Sequence, residues 1–173
     1  MSAPVFGVTG WKNSGKTTLL TRLVSVFVAR GLRVSTIKHA HHAFDIDRPA
    51  TDSFRHREAG ASEVMIVSGT RWALMHELRE EEEEPGFETV LPRLSPCDLV
   101  LVEGYKRERH PKIEVRRSAS ARQSSLALED PTIRAIAADH PTDSHGLPCF
   151  ALDDVEAMAD FIANETGLRS GGG

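Results

Sequence analysis

The chain has 173 residues, a formal net charge of −4 and 40% hydrophobic residues, which suits one soluble globular domain with a usable core. A pI near 6.1 lacks the basic excess of a dedicated nucleic-acid binder. No apolar run approaches the roughly 18 residues of a membrane span, and the N-terminus lacks a charged segment followed by an apolar signal core. The expectation is a cytoplasmic protein with neither nucleic acid nor membrane as partner. Cys97 and Cys149 stand alone rather than in C-x-x-C pairs, which argues against a disulfide framework or a cysteine zinc site. Both are expected to be small buried residues.

Taken in chain order, residues 5–9 form a short apolar, β-branched run, and residues 18–29 carry Leu19, Leu20, Leu23, Val24, Phe27 and Val28 at helical spacing. Between them lies Gly10-Trp11-Lys12-Asn13-Ser14-Gly15-Lys16-Thr17, which fills every fixed position of G-x-x-x-x-G-K-[ST]. A phosphate-binding loop requires that strand-to-helix setting. Its glycines let the backbone aim successive N–H groups at an anion, and the helix adds its positive N-terminal end. Lys16 would reach the β- and γ-phosphate oxygens, and the Thr17 hydroxyl would ligate Mg²⁺.

Gly31 ends the helix and residues 33–37 read as a second strand, so the chain begins β-α-β. A right-handed crossover between parallel strands follows, with ligands outside the carboxyl ends of the strands, which brings Lys38 and His39 to that edge. The polar segment 38–53 reads as a functional loop. Its His39, His41 and His42 together with Asp45, Asp47 and Asp52 could form a transition-metal site, or the loop could answer to nucleotide and Mg²⁺ with Asp47 or Asp52 as an outer carboxylate. Residues 53–58 look like a helix ended by Gly60, with Arg55 and Arg57 either meeting a phosphate or partner or lying on a solvated face.

Residues 64–68 and 72–78 suggest a β-hairpin, the glutamate run 80–84 a solvated loop, and 87–94 a helix. Then Asp98-Leu99-Val100-Leu101-Val102-Glu103-Gly104-Tyr105-Lys106 reads as a strand buried on both faces of a parallel sheet. Glu103 falls at its carboxyl end, where a phosphate-loop protein holds Mg²⁺ directly or through water, whereas Asp98 lies at the far end. Gly104 would let the chain turn close to the phosphates. Residues 112–117 alternate charge with Ile113 and Val115, which suggests an edge strand with one wet face. After a polar linker at 118–125, residues 132–138 form another apolar run ending in Asp139. That carboxylate either starts a turn or accepts hydrogen bonds from a guanine N1–H and exocyclic amine. A short strand at 148–152, a helix at 153–164 and a flexible tail complete the chain. The expected layout is one nucleotide-binding domain over residues 1–168 and a tail at 169–173.

Four of these motifs occur together in order: the loop from Gly10 to Thr18, the 38–53 segment with Asp45-x-Asp47 and Asp52-Ser53, Arg57-Glu58-Ala59-Gly60-Ala61, and Val102-Glu103-Gly104-Tyr105-Lys106. In this the chain resembles the molybdopterin-guanine dinucleotide biosynthesis protein B family over residues 5–139. The resemblance implies an α/β fold of the P-loop NTPase type, a mostly parallel sheet flanked by helices with a β-hairpin extension. It implies a GTP-binding, usually dimeric accessory protein with at most weak GTPase activity, assisting the guanylyltransferase that joins GMP to molybdopterin. Assembly factors of molybdopterin-dependent enzymes are further candidate partners. On this reading Gly10, Asn13, Ser14, Gly15, Lys16, Thr17, Thr18 and Asp139 bind GTP, and Thr17, Glu103 and Asp47 serve the metal. The family loop reads Asp-x-Asp-x-x-Gly-Lys-Asp-Ser, but here Ala50 and Thr51 stand in place of glycine and lysine. A small-molecule kinase using the same loop, and a nucleotide-dependent metallochaperone using the histidines, are the competing readings.

Overall fold

The computed structural model describes residues 3–40, 46–79, 82–120 and 124–168. These fall into two compact units, Met1–His39 with Leu91–Gly173, and Ala40–Val90. The histidines His41 and His42, the carboxylate Asp45 and the 169–173 tail lie outside the described residues.

The first unit is built on a six-stranded sheet in which every pairing is parallel. Its strands are β1 (Val5–Gly10), β2 (Val34–Lys38), β5 (Leu99–Glu103), β6 (Lys112–Arg116), β7 (Ile133–Ala138) and β8 (Cys149–Ala151), in the order β2-β5-β1-β6-β7-β8. Two helices, α1 (Lys16–Ala29) and α4 (Val155–Thr166), pack on one face of it. Leu19, Leu20, Leu23 and Phe27 from α1 and Met158, Ala159 and Ile162 from α4 close over Phe6, Val8, Leu101, Ile113 and Ala135. The apolar periodicity of residues 18–29 is thus spent on the sheet.

Gly7 points to the other face, and a Cβ there would lie 2.6 Å from His110 Nε2 and 2.9 Å from Lys112 Cγ. The segment 104–111, which crosses from β5 over to β6, therefore runs across that face. Glycine is needed because the crossover lies so close to the strand. On the same face Glu114 accepts from the backbone N–H groups of Leu126 at 2.9 Å and Ala127 at 3.1 Å, which ties down the 3₁₀ turn Leu126–Leu128.

This arrangement corrects the edge-strand expectation for residues 112–117. β6 lies between β1 and β7, and both Lys112 and Glu114 are fully buried. The charges that suggested a wet face are matched from elsewhere in the chain. Lys112 Nζ donates to the Glu108 carbonyl, to the His110 carbonyl at 3.2 Å and to Thr132 Oγ1 at 2.5 Å, and lies 3.4 Å from Asp130. Glu114 also receives Arg116 at 2.9 Å. The cysteines differ from expectation too: Cys97 is half-buried, and Cys149 is exposed because it opens the edge strand β8.

The second unit contains α2 (Asp52–Glu58), packed on the hairpin of β3 (Glu63–Val67) and β4 (Trp72–His76), and a single α-helical turn, α3 (Phe87–Val90). The helix expected over 87–94 ends early because Pro92 has no N–H to continue the ladder, and Leu91–Arg93 tightens into a 3₁₀ turn.

Candidate functional site

The carboxyl ends of β2, β5, β1, β6 and β7 meet at one edge of the parallel sheet. From there project Lys38, Glu103, the 10–17 loop, Arg117 and Asp139 in that order. The strand order changes direction on either side of β1, which is where an open α/β sheet forms its crevice.

The loop has the geometry of an anion nest. Asn13 at φ 64° and Gly15 at φ 91° take positive φ on either side of Ser14, which does not, a pattern that turns successive N–H groups to one side. Gly10 lies at φ 149°, and a Cβ there would come within 2.5 Å of the Val115 carbonyl and 2.6 Å of Ser14 Oγ. Only glycine fits at that start. The Ser14 hydroxyl is buried without a hydrogen-bond partner among the described residues. At Gly15 the helix α1 begins with no side-chain cap and no acidic residue in its first turn. By contrast, α2 is capped by Thr51 and α4 by Asp154, each with an acid in the first turn. The free N-terminal N–H groups of α1 are the ones an anion would satisfy.

Lys16 and Thr17 follow on the first turn. Lys16 Nζ donates to the Trp11 carbonyl at 2.7 Å, folding back over the loop. Burial pushes its pKa down from the ordinary lysine value, Glu103 opposes that, and Lys106 and Lys38 add to it. Thr17 Oγ1 donates to Glu103 Oε1 at 2.8 Å, and Lys38 Nζ lies 3.5 Å from the same carboxylate oxygen. A hydroxyl and a carboxylate side by side are hard oxygen donors of the kind Mg²⁺ takes. Gly104, at φ 92°, makes its close approach to His39 rather than to the loop, with Cβ atoms that would be 3.1 Å apart. The His39 ring stacks on Tyr105 at 4.7 Å.

Asp139 stands one residue past β7. It accepts from the Ser118 N–H at 2.7 Å, from His140 Nδ1 at 2.8 Å and from the Ser118 hydroxyl at 3.3 Å. The His140 bond, then those from Ser118, hold its pKa below the usual carboxylate value. Two clefts lie at this edge, and Asp139 lines the larger of them. One of about 540 Å³ is lined by Arg117, Asp139, His140, Phe150, Leu152 and Asp153. Another of about 250 Å³ lies toward the loop, between Trp11, Arg116, Arg117, Ser120, His140 and Thr142.

Asp47 belongs to the second unit, where Arg57 donates to its two oxygens at 2.9 and 3.4 Å. Arg57 also lies 3.5 Å from Glu77 and stacks over Phe54. This corrects the view of Arg57 as a solvated or ligand-seeking cation: it is 15% exposed and knits its own unit. Arg55 remains on the surface, 4.0 Å from Asp52.

The family model for molybdopterin guanine dinucleotide synthesis protein B matches residues 5–139, more than half of the chain. The chain belongs to that family. Among its relatives is the molybdopterin-guanine dinucleotide biosynthesis adapter protein of Escherichia coli, 38% identical over 92% of this chain and 91% of that protein. The adapter protein of Haemophilus influenzae is 37% identical over 93% and 88%. The crystal structure of the homologue from Bacillus stearothermophilus superposes with a TM-score of 0.65 at 32% identity, covering 95% of this chain and 99% of that one. Another crystal structure of the family, a molybdopterin-guanine biosynthesis protein B, gives a TM-score of 0.71 at 29% identity, covering 93% and 99%. The P-loop NTPase type of fold is thereby shared.

Against that family, Ala50 and Thr51 now have physical consequences. Ala50 sits at φ 74°, a left-handed region that glycine occupies at no cost and that alanine occupies at about 1 kcal/mol. Thr51 caps α2, donating its hydroxyl to the Arg48 carbonyl at 2.8 Å and accepting from the Phe54 N–H at 3.4 Å. A lysine could not form that cap, so Thr51 gives α2 a firm start beside the strained Ala50.

Sequence reasoning passed over Arg117, Ser118 and Ser124. Ser118 holds Asp139, and the Ser124 carbonyl accepts from Trp11 Nε1 at 2.8 Å. They sit in or beside a stretch whose small polar composition reads as linker.

Proposed function

We propose that the chain is a GTP-binding adapter in the formation of molybdopterin guanine dinucleotide, assisting the guanylyltransferase that joins GMP to molybdopterin. The pathway assignment rests on family membership and on the adapter proteins it resembles along nine-tenths of its length. The single observation that carries nucleotide binding is the nest at Asn13 to Gly15 opening onto an uncapped helix, with Lys16 on its first turn.

In this reading the backbone amides of Asn13, Ser14, Gly15 and Lys16 and the Lys16 ammonium take the phosphates, with Gly10 and Thr18 completing the loop. Thr17 and Glu103 provide oxygens for Mg²⁺, which would neutralise phosphate charge when bound. Asp47, which the family resemblance also assigns to the metal, has its carboxylate engaged by Arg57. The 540 Å³ cleft beside Asp139 is of a size typical of ligand pockets, roughly 300–1,000 Å³, and offers a carboxylate to guanine donors that adenine lacks. Among the described residues no group of His, Cys, Asp or Glu is arranged to hold a metal, and no helix is long and apolar enough to cross a membrane. A cytoplasmic site of action accords with the pathway.

A homodimer is part of the same proposal. Met65, Val67, Trp72 and Leu74 share one face of the β3–β4 hairpin and are all exposed, and a two-stranded hairpin with a bare apolar face gains by covering it. The test is a reconstituted reaction of guanylyltransferase, molybdopterin and GTP. Added chain should raise the yield of dinucleotide and Lys16→Ala should abolish the gain. Transfer of a γ-phosphoryl group to a small metabolite, with no effect on dinucleotide yield, would contradict the reading and favour a kinase.

A further inference from the structure

β6 ends between the loop strand β1 and the strand β7 that leads to Asp139, with Val115 paired to Gly10 and Ala137 paired to Val115. A ligand reaching from the loop to the Asp139 cleft must pass over the end of β6. The residue found there is Arg117. Its guanidinium lies 3.8 Å from where a side chain on Gly15 would begin and 3.7 Å from Asp139 Oδ2, and it lines both clefts.

The neighbouring Arg116 shows what a structural arginine looks like here. It is 10% exposed and bonded to Glu114, Ser125, Thr142 and the Asp143 carbonyl. Arg117 is 47% exposed, and its approach to Asp139 is longer than a hydrogen bond. Asp139 is meanwhile held by shorter bonds from Ser118 and His140. Asp139 therefore does not depend on Arg117 for its orientation, and Arg117 can move toward a phosphate without leaving the carboxylate unsatisfied.

We propose that Arg117 is a second phosphate-binding residue, gripping the nucleotide between the 10–17 loop and the base cleft, and so placing the base against Asp139. The proposal rests on the nucleotide reading above. A guanidinium forks onto phosphate oxygens in a way that the point charge of Lys16 does not, so the two cations divide the work: Lys16 at the outer phosphates, Arg117 at the inner one.

The test is GTP titration of the whole chain in Mg²⁺ at two salt concentrations, for wild type, Arg117→Ala and Arg117→Lys. Loss of a charge-assisted phosphate contact should weaken GTP binding by about tenfold or more in the alanine variant and flatten its salt dependence. Arg117→Lys should recover part of the affinity and most of the salt dependence, because the charge is retained. A folded Arg117→Ala protein with wild-type affinity would overturn the proposal. So would an affinity loss with unchanged salt dependence, which would mark a structural role only. Wild-type protein that binds no GTP would take down both this and the nucleotide reading, whereas normal wild-type binding beside an unaffected variant would remove this alone.

Discussion

The edge of the parallel sheet and the β3–β4 hairpin are opposite solutions to exposure. At the sheet edge the apolar side chains are sealed beneath α1 and α4, and what faces outward is polar: Lys16, Lys38, Arg117 and Asp139 around an uncapped helix. On the hairpin the apolar side chains themselves face outward, with Val67 at 69% and Trp72 at 61% exposure. Oriented polar groups over a rigid sheet suit a small charged ligand, whereas an open apolar face suits a macromolecule. In the proposed function the nucleotide belongs to the first of these surfaces and self-association to the second.

The firmest side of this contrast is the sheet interior, and Lys112 is where it breaks most severely. Lys112→Ala leaves Asp130 and two carbonyls without their cation, so we expect a loss of about 3–5 kcal/mol in urea denaturation. A change under 1 kcal/mol would mean that the buried network contributes little. On the hairpin the effect should fall on assembly instead. Trp72→Ser should weaken self-association by about 2 kcal/mol, read by sedimentation equilibrium, with little change in unfolding of the monomer. If the variant unfolds early while its association state is unchanged, the exposed face is not the docking surface.

The crossover on the far face of the sheet adds a pH signature. Burial, reinforced by Lys112, pushes the His110 pKa down to about 4 from its ordinary 6.5. Between those values the unfolded chain takes up a proton that the folded protein resists, so stability is full above pH 6.5 and falls as pH drops toward 4. His110→Gln should flatten the denaturation midpoint between pH 7 and pH 5. The smallest expected change is a gain of up to about 1 kcal/mol from Ala50→Gly, which relieves the left-handed strain at the start of α2, partly offset by glycine's chain entropy.

The sequence shows the sheet edge better than it shows the rest, for physical reasons. The loop pattern couples a strand end to a helix start at fixed spacing, so it names Gly10 to Thr17 and their geometry together. Glu103 is readable because a carboxylate ending an apolar strand has few other places to be, and the structure puts it against Thr17. Residues 112–117 mislead because alternation reports only that one face is polar. Whether that polarity meets water or buried partners is decided by Asp130, Thr132 and Leu126, whose approach is a matter of topology. Arg57 is similar, since its partners Asp47 and Glu77 lie 10 and 20 positions away. Arg117 is hidden for another reason: it stands beside Arg116 at the end of β6, and only the fold shows that Arg116 is tied to Glu114, Ser125 and Thr142 while Arg117 reaches toward the loop and Asp139.

Calorimetric titration with GTP and ATP in Mg²⁺, for wild type and Lys16→Ala, tests the central claim most directly. The account predicts tighter binding of GTP than of ATP by the wild type, and loss of GTP binding in the variant. Equal or better ATP binding, or full GTP affinity in Lys16→Ala, would contradict it.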